Sequence, residues 1–221
     1  MTPALLRATH PPLHLQAWKL AGAVAFLPHL LAVLVAAAQR PGFSHRTQFL
    51  SELGERGSST ASLANYLGIL PTGALLACFG LGLVAHYRAD RRLALGGALI
   101  VVHGLCRMLA AFFTCDPGCR PDHPSMSQAV HNVVAGTAFV ALTAALFTIG
   151  AWLIVHRRGA AIIAASYALG LLALVSQALL VFHGHGNSGL YQRMALAALQ
   201  LWVTVLALHL LRPAPAAGAG A

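Results

Sequence analysis

Long apolar runs separated by short polar stretches dominate the chain. A helix that crosses the hydrocarbon core of a bilayer needs about 20 apolar residues. Segments that meet this length run approximately over Trp18–Ala38, Leu63–Ala85, Leu93–Phe113, Ala129–Val155, Ala160–Phe182 and Leu190–Leu211. Short connections between most of them favour antiparallel neighbours in one bundle. The pattern predicts an all-α membrane protein in which six transmembrane helices form a single domain over residues 1–212, with a disordered Ala/Pro/Gly tail over residues 213–221.

Composition supports this fold class and excludes a soluble domain. Of the 221 residues, 58% are hydrophobic and 9% are charged, whereas a soluble domain carries roughly 25% charged residues. Most of the surface must therefore face lipid, and the bilayer is the first predicted partner. The net charge of +9 does not indicate nucleic acid, because the basic residues fall in short loops between apolar runs instead of along one soluble face.

Charges alternate between the two sets of loops. One set carries a single acid, Asp90, and many basic residues, namely Arg7, Lys19, Arg88, Arg91, Arg92, Arg157, Arg158 and Arg212. The other set is balanced and contains Arg40, Arg46, Arg56, Arg120, Glu52, Glu55, Asp116 and Asp122. The positive-inside rule places the first set and both termini in the cytoplasm, so we expect a multi-pass protein of the bacterial inner (plasma) membrane.

The first helix has an alternative interpretation as a signal peptide, since Ala36-Ala37-Ala38 resembles a cleavage site. Its apolar run is longer than the usual 7–15 residues of such a segment. Cleavage would also leave an odd number of spans. We therefore expect this helix to be retained.

The first outer loop has an amphipathic pattern between Ser44, a plausible N-cap, and Gly54, a plausible C-cap. Its apolar side chains share one helical face, and its polar side chains share the other. The apolar set is Phe49, Leu50 and Leu53, and the polar set is Ser44, Gln48, Ser51, Glu52 and Glu55. This pattern predicts a short interfacial helix on the outer membrane surface. The helix either plugs the mouth of the bundle or contributes Glu52 and His45 to a site.

The second outer loop contains Cys115 and Cys119 on either side of Pro117-Gly118, a favourable turn. Under the predicted topology both thiols face an oxidising compartment, which favours a structural disulfide over a metal thiolate site. A redox-active pair is the alternative. Cys78 and Cys106 lie inside helices and are expected to be inert core thiols.

Two arginines lie within helices near the outer end. Arg107 shares a face of the third helix with His103, and it lies about two turns below the outer surface. A charge at this depth must face the bundle interior, a partner or water, and we expect Asp116 or Glu52 to be its partner. Arg193 lies at the same level, near the start of the sixth helix.

These arginines predict an anion site. The second, fourth and sixth helices begin at the outer face, so the positive ends of their dipoles point towards it. Arg107 and Arg193, with Ser44 and His45 nearby in the first loop, would bind an anionic group such as a lipid phosphate. The predicted partner is thus an anionic lipid or another amphiphile.

An enzyme is one interpretation of this polar cluster. Glu52, Asp116, His131 and His183 would act in acid–base catalysis. Alternatively His131, His183 and His185 would hold a divalent metal such as Zn²⁺, whose bound hydroxide cleaves an ester or amide of a lipid. The spacing contains no His-Glu-x-x-His motif.

Other interpretations remain open. His29 and His103 both fall near mid-membrane, where they would serve either as axial ligands of a haem or as hydrogen-bonded core histidines. The cluster of acids and arginines would alternatively be an ion-pair network that fixes helix packing, in a non-enzymatic sensor, transport accessory or assembly factor. A small transporter is disfavoured, because Pro28 and Pro71 do not occupy corresponding places in two halves.

Several short segments resemble one family along nearly the whole chain. They are Pro41-Gly42-Phe43-Ser44-His45, Ser51-Glu52-Leu53-Gly54, Cys115-Asp116-Pro117-Gly118-Cys119 followed by His131, and Gly189-Leu190-Tyr191-Gln192-Arg193. In the same order, these segments resemble a bacterial integral membrane family catalogued as domain of unknown function 998. The resemblance implies a multi-helix inner-membrane protein, and it carries no established activity.

Overall fold

The computed structural model describes residues 16–183 and 186–212. These residues are helical or in turns, and no strand occurs among them. Within them, six helices are long and apolar enough to cross a membrane: Ala17–Ala38, Leu63–His86, Arg91–Phe112, Met126–Val155, Ala160–His183 and Ser188–Leu211. The predicted multi-pass architecture is confirmed. The predictions for Arg7, for His185 and for the tail over 213–221 lie outside the described residues.

Two prolines explain the irregular places in the first two spans. The first span consists of α1 (Ala17–Val24) and α2 (Phe26–Ala38), separated at Ala25. Pro28 lacks an N–H for the carbonyl one turn earlier, so the helix is interrupted there. The second span begins with a π-helical turn, Leu63–Ile69, and continues as α3 (Leu70–His86). Pro71 near the start of α3 similarly cannot donate, and the wider turn accommodates the loss.

The remaining spans begin at conventional caps or short loops. α4 (Arg91–Phe112) is capped by Asp90, whose carboxylate accepts from the backbone N–H groups of Arg92 and Leu93. α5 (Met126–Val155) is capped by Ser125, which accepts from Gln128 N at 3.2 Å. Its first turn starts before the sequence-based boundary because this cap and a proline-containing loop define it. α6 (Ala160–His183) and α7 (Ser188–Leu211) complete the bundle.

The spans form a closed ring. Each packs against the next in the chain from α3 to α7, and α1 packs against both α3 and α7. Large fully buried side chains such as Phe79, Leu146 and Trp202 fill the centre. A Cβ on Gly104 would lie 2.6 Å from the carbonyl oxygen of Gly73, so small residues allow α3 and α4 to approach closely. This contact fixes the position of α4 at the level of its polar face.

The loops over residues 39–62 and 113–125 lie at one end of the ring, which we call the loop-rich end. The short helix expected in the first of them is present, but it is a five-residue 3₁₀ helix, Leu50–Gly54. It begins later than Ser44 because Phe49 is extended (φ −64°, ψ 151°). Leu53 is fully buried, so this segment packs its apolar side against the mouth of the bundle.

Candidate functional site

A small cavity lies inside the ring, below the 3₁₀ helix of the first loop. Its volume is about 70 Å³, enough for a few water molecules or a small polar group. Polar lining residues come from the first loop and four helices: Ser51, His29 of α2, His103 and Arg107 of α4, His131 of α5 and Gln192 of α7. The wall is otherwise mostly apolar and includes Leu50, Ile69, Ala138 and Phe139.

Arg107 is the charged group of this cavity. Its side chain is buried, with 9% of the residue exposed. Within the part of the chain that the structure describes, its Nε and Nη2 atoms have no hydrogen-bond partner. A buried guanidinium without a full set of partners is costly, so this arrangement calls for a group that the described residues do not supply.

The expected ion pair between Arg107 and Glu52 or Asp116 is wrong. Glu52 accepts instead from Gln48 Nε2 at 2.7 Å and from the backbone N–H of Phe49 at 2.8 Å. Both carboxylates are held in their own loops by neighbouring donors, which the linear sequence does not reveal. Neither residue lines the cavity.

Asp116 has a structural position at the start of α5. It accepts from the backbone N–H and the hydroxyl of Ser125, at 2.8 Å and 2.7 Å. These hydrogen bonds, with Arg56 at 3.7 Å, hold the pKa of Asp116 below its usual range. The backbone N–H of Asp116 also donates to Gln128 Oε1 at 2.8 Å. The residue therefore fixes the second loop on α5 as an ionised carboxylate.

Two cavity histidines have fixed orientations. His103 Nδ1 lies 2.8 Å from the carbonyl oxygen of Ala138, and His131 Nδ1 lies 2.8 Å from that of Phe113. A carbonyl oxygen only accepts, so each Nδ1 carries the hydrogen and, in the neutral ring, Nε2 carries a lone pair. His103 Nε2 has no partner among the described residues.

His29 completes the cavity from the first span. Neither of its ring nitrogens has a partner among the described side chains and backbone groups. Its backbone N–H donates to Thr72 Oγ1 at 3.2 Å. The sequence pointed to His29 as either a haem ligand or a hydrogen-bonded core histidine, and not as part of a polar site. An ionisable residue within an otherwise apolar span is the signal that could have placed it in a polar site.

The haem hypothesis fails on size. His29 and His103 do line the same cavity, but its volume of about 70 Å³ is far below the roughly 300 Å³ at which sites for cofactor-sized molecules begin. The two rings face a space that cannot accept a macrocycle. Their shared position instead concentrates imidazole nitrogens around Arg107.

The proposed metal ligands are not brought together by the described residues. Among them, no group of three His, Cys, Asp or Glu side chains is arranged to hold a metal ion. His183 is exposed at the end of α6 and does not line the cavity that holds His131. His185 lies outside the described residues, so the set of His131, His183 and His185 stays a prediction.

Two apolar grooves adjoin the cavity. The α2–α7 groove, of about 450 Å³, shares His29, Leu50 and Leu196 with it. This groove is mostly aliphatic, with Leu30, Val33, Leu34 and Ala197 in its wall. The second groove, of about 430 Å³, lies between α5 and α6 and contains the polar residues Asn132 and Gln177. The α2–α7 groove is thus the better match for a hydrocarbon chain.

Arg193 lies at the margin of the α2–α7 groove, together with His45. Its Nη1 donates to the carbonyl oxygens of Gln48 and Gly189, at 2.8 Å and 2.9 Å. Its Nε and Nη2 have no partner in the described part of the chain. Arg193 therefore attaches the first loop to α7 through Nη1, and the Nε–Nη2 edge of its guanidinium group is left to interact with a ligand. Ser44 does not belong to the groove wall; it caps a turn, accepting from Thr47 N at 3.3 Å.

Glu55 joins the segments that cover the cavity. Arg40 donates to Glu55 at 2.5 Å and also to the carbonyl oxygen of Glu52. The second oxygen of Glu55 accepts from Gly118 N at 2.6 Å. Cys115 and Cys119 lie at disulfide distance, as predicted. The end of α2, the first loop and the disulfide loop are thus connected through one carboxylate.

The first loop is also attached to the start of α7. The hydroxyl of Ser188 donates to Thr47 O at 2.9 Å, and the backbone N–H of Leu50 donates to Gln192 Oε1 at 2.6 Å. Gln192 therefore positions the 3₁₀ helix and lines the cavity at the same time. Its role was missed from the sequence because it depends on this long-range contact.

Comparisons with curated proteins and with solved structures give no significant match. A family model described as "Protein of unknown function (DUF998)" matches residues 20–209. The match covers all six spans except the first residues of α1 and the last residues of α7. This protein belongs to the DUF998 family.

Proposed function

We propose that this protein binds an anionic amphiphile, with the charged head in the cavity beside Arg107 and the apolar tail in the α2–α7 groove. The observation that carries this proposal is that Nε and Nη2 of Arg107 have no partner among the described residues, in a cavity that adjoins an apolar groove. Buried charges in membrane proteins are normally paired or mark the path of a ligand. An external anion would pair with Arg107, which has no carboxylate partner within residues 16–183 and 186–212.

The charge distribution supports a location for this site. The end opposite the loop-rich end carries a single acid, Asp90, and many basic residues, which include Lys19, Arg88, Arg92 and Arg158. By the positive-inside rule that end is cytoplasmic. The cavity then lies towards the periplasmic face of a bacterial inner membrane, and both termini are cytoplasmic.

The dimensions of the α2–α7 groove support a lipid-like tail. Its volume of about 450 Å³ falls within the range of about 300–1,000 Å³ that is typical of ligand sites. Phe26, Leu30 and Leu201 belong to its wall, so the ligand would enter from the bilayer. Arg193, at the margin of the groove, adds positive charge near the head.

Binding fits the geometry better than hydrolysis. Glu52 and Asp116, the expected catalytic acids, are engaged by loop donors. His131 could accept a proton through Nε2, but among the described residues no carboxylate lines the cavity to act beside it. Elemental analysis distinguishes the metal-hydrolase alternative: stoichiometric zinc that disappears in His131→Ala would favour it over binding alone.

The network around Glu55 supports a second role for part of the polar cluster. Arg40, Glu55 and Gly118 hold the loops together, as expected of a sensor, transport accessory or assembly factor with structural polar contacts. Such a network does not account for Arg107, which it does not reach. We therefore assign the loops a structural role and the cavity a binding role.

Native mass spectrometry of the detergent-purified protein tests the proposal. The titration compares anionic and zwitterionic lipids with identical acyl chains. We expect the wild type to prefer the anionic lipid about tenfold, which corresponds to one charge-assisted hydrogen bond. Arg107→Met should lose this preference. The control Arg120→Met removes the same charge from an exposed loop position and should retain it.

Two results would contradict the proposal. Equal binding of anionic and zwitterionic lipids by the wild type would show that the site does not select an anionic head. An unchanged preference in Arg107→Met would show that another group holds the head.

A further inference from the structure

The cavity offers both donors and acceptors to a ligand. The donors are the N–H groups on Nε and Nη2 of Arg107, which have no partner in the described chain. The acceptors are imidazole nitrogens. His103 and His131 each direct Nδ1–H to a backbone carbonyl at 2.8 Å, which leaves Nε2 as the acceptor of each neutral ring.

The rings are expected to be neutral because a further positive charge beside Arg107 in an enclosed space is costly. His29 follows the same reasoning, and both of its ring nitrogens are unpartnered within the described residues. A neutral imidazole has one donor and one acceptor nitrogen. The cavity therefore combines one fixed cation with several lone pairs, and no carboxylate from the described part of the chain lines it.

This combination discriminates between anions. A phosphodiester, a carboxylate or a sulfate supplies only acceptors at neutral pH, so it would pair with Arg107 and leave His103 Nε2 buried without a donor. An alcohol would donate to the imidazole but would leave the guanidinium unpaired. A buried polar group without its hydrogen bond weakens binding, so a ligand that satisfies both kinds of group binds more tightly.

We propose, on the basis of the function proposed above, that the head is a phosphate monoester of a long-chain lipid. Its anionic oxygens accept from Arg107, and its remaining P–O–H group donates to Nε2 of His103 or His131. Because the second pKa of a phosphomonoester is near 6, keeping this hydrogen near neutral pH costs less free energy than protonating a phosphodiester, a carboxylate or a sulfate. The cavity of about 70 Å³ suits one tetrahedral group, and the chain continues into the α2–α7 groove.

The test compares two lipids with the same acyl chains. Phosphatidic acid is a monoester, and phosphatidylmethanol is a diester that keeps a negative charge and lacks the P–O–H group. Inorganic phosphate serves as the third ligand, because it has the same head chemistry without a tail. Native mass spectrometry titrations give the apparent affinity of each.

His103→Asn is the informative variant. The amide nitrogen of asparagine can take the place of Nδ1 and still donate to Ala138 O, whereas Nε2 is removed. The matched control is His156→Asn: His156 also directs Nδ1 to a backbone carbonyl, Trp152 O at 3.0 Å, but lies at the opposite end of the bundle. Thermal unfolding midpoints of both variants establish that they are folded.

We expect the wild type and His156→Asn to bind phosphatidic acid about tenfold more tightly than phosphatidylmethanol. His103→Asn should bind both lipids with similar affinity, and Arg107→Met should bind neither tightly. Equal affinities in the wild type would overturn the monoester assignment and leave anionic-lipid binding intact. Failure to bind either anionic lipid would overturn the proposed function itself. Inorganic phosphate binding as tightly as phosphatidic acid would overturn the role of the tail.

Discussion

Replacing Arg107 by methionine distinguishes an arginine that binds a ligand from one that stabilises the packing of the helices. Two guanidinium nitrogens of Arg107 are buried and have no partner among the described residues. Each unsatisfied buried donor costs about 1–3 kcal/mol. Methionine has a similar length and no polar atoms. Substituting apolar side chains for buried charges often stabilises a protein by about 1–4 kcal/mol, and we expect a gain of this size.

The assay is thermal unfolding of delipidated protein in detergent. For a chain of this length, 1 kcal/mol corresponds to a shift of about 2–4 °C, so Arg107→Met should unfold several degrees above the wild type. Adding an anionic amphiphile should raise the midpoint of the wild type only, since a ligand stabilises the state that binds it.

Arg40→Met is the contrasting variant. Arg40 is paired with Glu55 at 2.5 Å, and its removal leaves a mostly buried carboxylate without its cation. We expect its midpoint to fall by the equivalent of about 1–3 kcal/mol, because part of the pair is exposed to solvent. If Arg107→Met lowered the midpoint as Arg40→Met does, Arg107 would be a structural contact and the reasoning would be refuted.

Three further predictions concern the frame around the cavity. Gly104→Val should destabilise the bundle by several kcal/mol, because a Cβ there meets the backbone of α3 at 2.6 Å. Gly136→Ala, where a Cβ meets nothing within 4 Å, should be neutral or stabilising in the same thermal assay; equal losses would refute the close-packing argument. Replacing Cys115 and Cys119 by serine should cost about 2 kcal/mol from loop closure, and reductant should shift only the wild-type midpoint. The lowered pKa of Asp116 makes its stabilisation complete above its ordinary value of 3.8, and this stabilisation is lost as the pH falls through the lower folded-state pKa. Asp116→Asn should flatten the pH dependence of unfolding in that acidic range, and an unchanged profile would contradict this role.

The six spans could be predicted because length and hydropathy are local properties. Trp18 to Ala38 is long and apolar whatever it packs against, and an arginine at the depth of Arg107 must face the interior. The placement of His131 one turn into α5, near the same level, follows from helix geometry alone. These features required no knowledge of how the ring closes.

The partners of the charged residues could not be predicted in the same way. Whether Glu52 reaches Arg107 depends on the path of the first loop, and the extended backbone at Phe49 directs the carboxylate back to that loop. His29 joins the cavity only because α1 and α2 close the ring on the other spans. Such long-range contacts depend on packing and not on the sequence spacing of the residues that make them.

A density map of the protein embedded in lipid, at a resolution that shows the cavity side chains, tests the central claim most directly. The account predicts density for a tetrahedral oxyanion at about 2.7–3.2 Å from Nε or Nη2 of Arg107. Continuous density for an apolar tail should extend from it into the α2–α7 groove. A cavity that holds only water, with Arg107 paired to Glu52 or Asp116, would contradict the account.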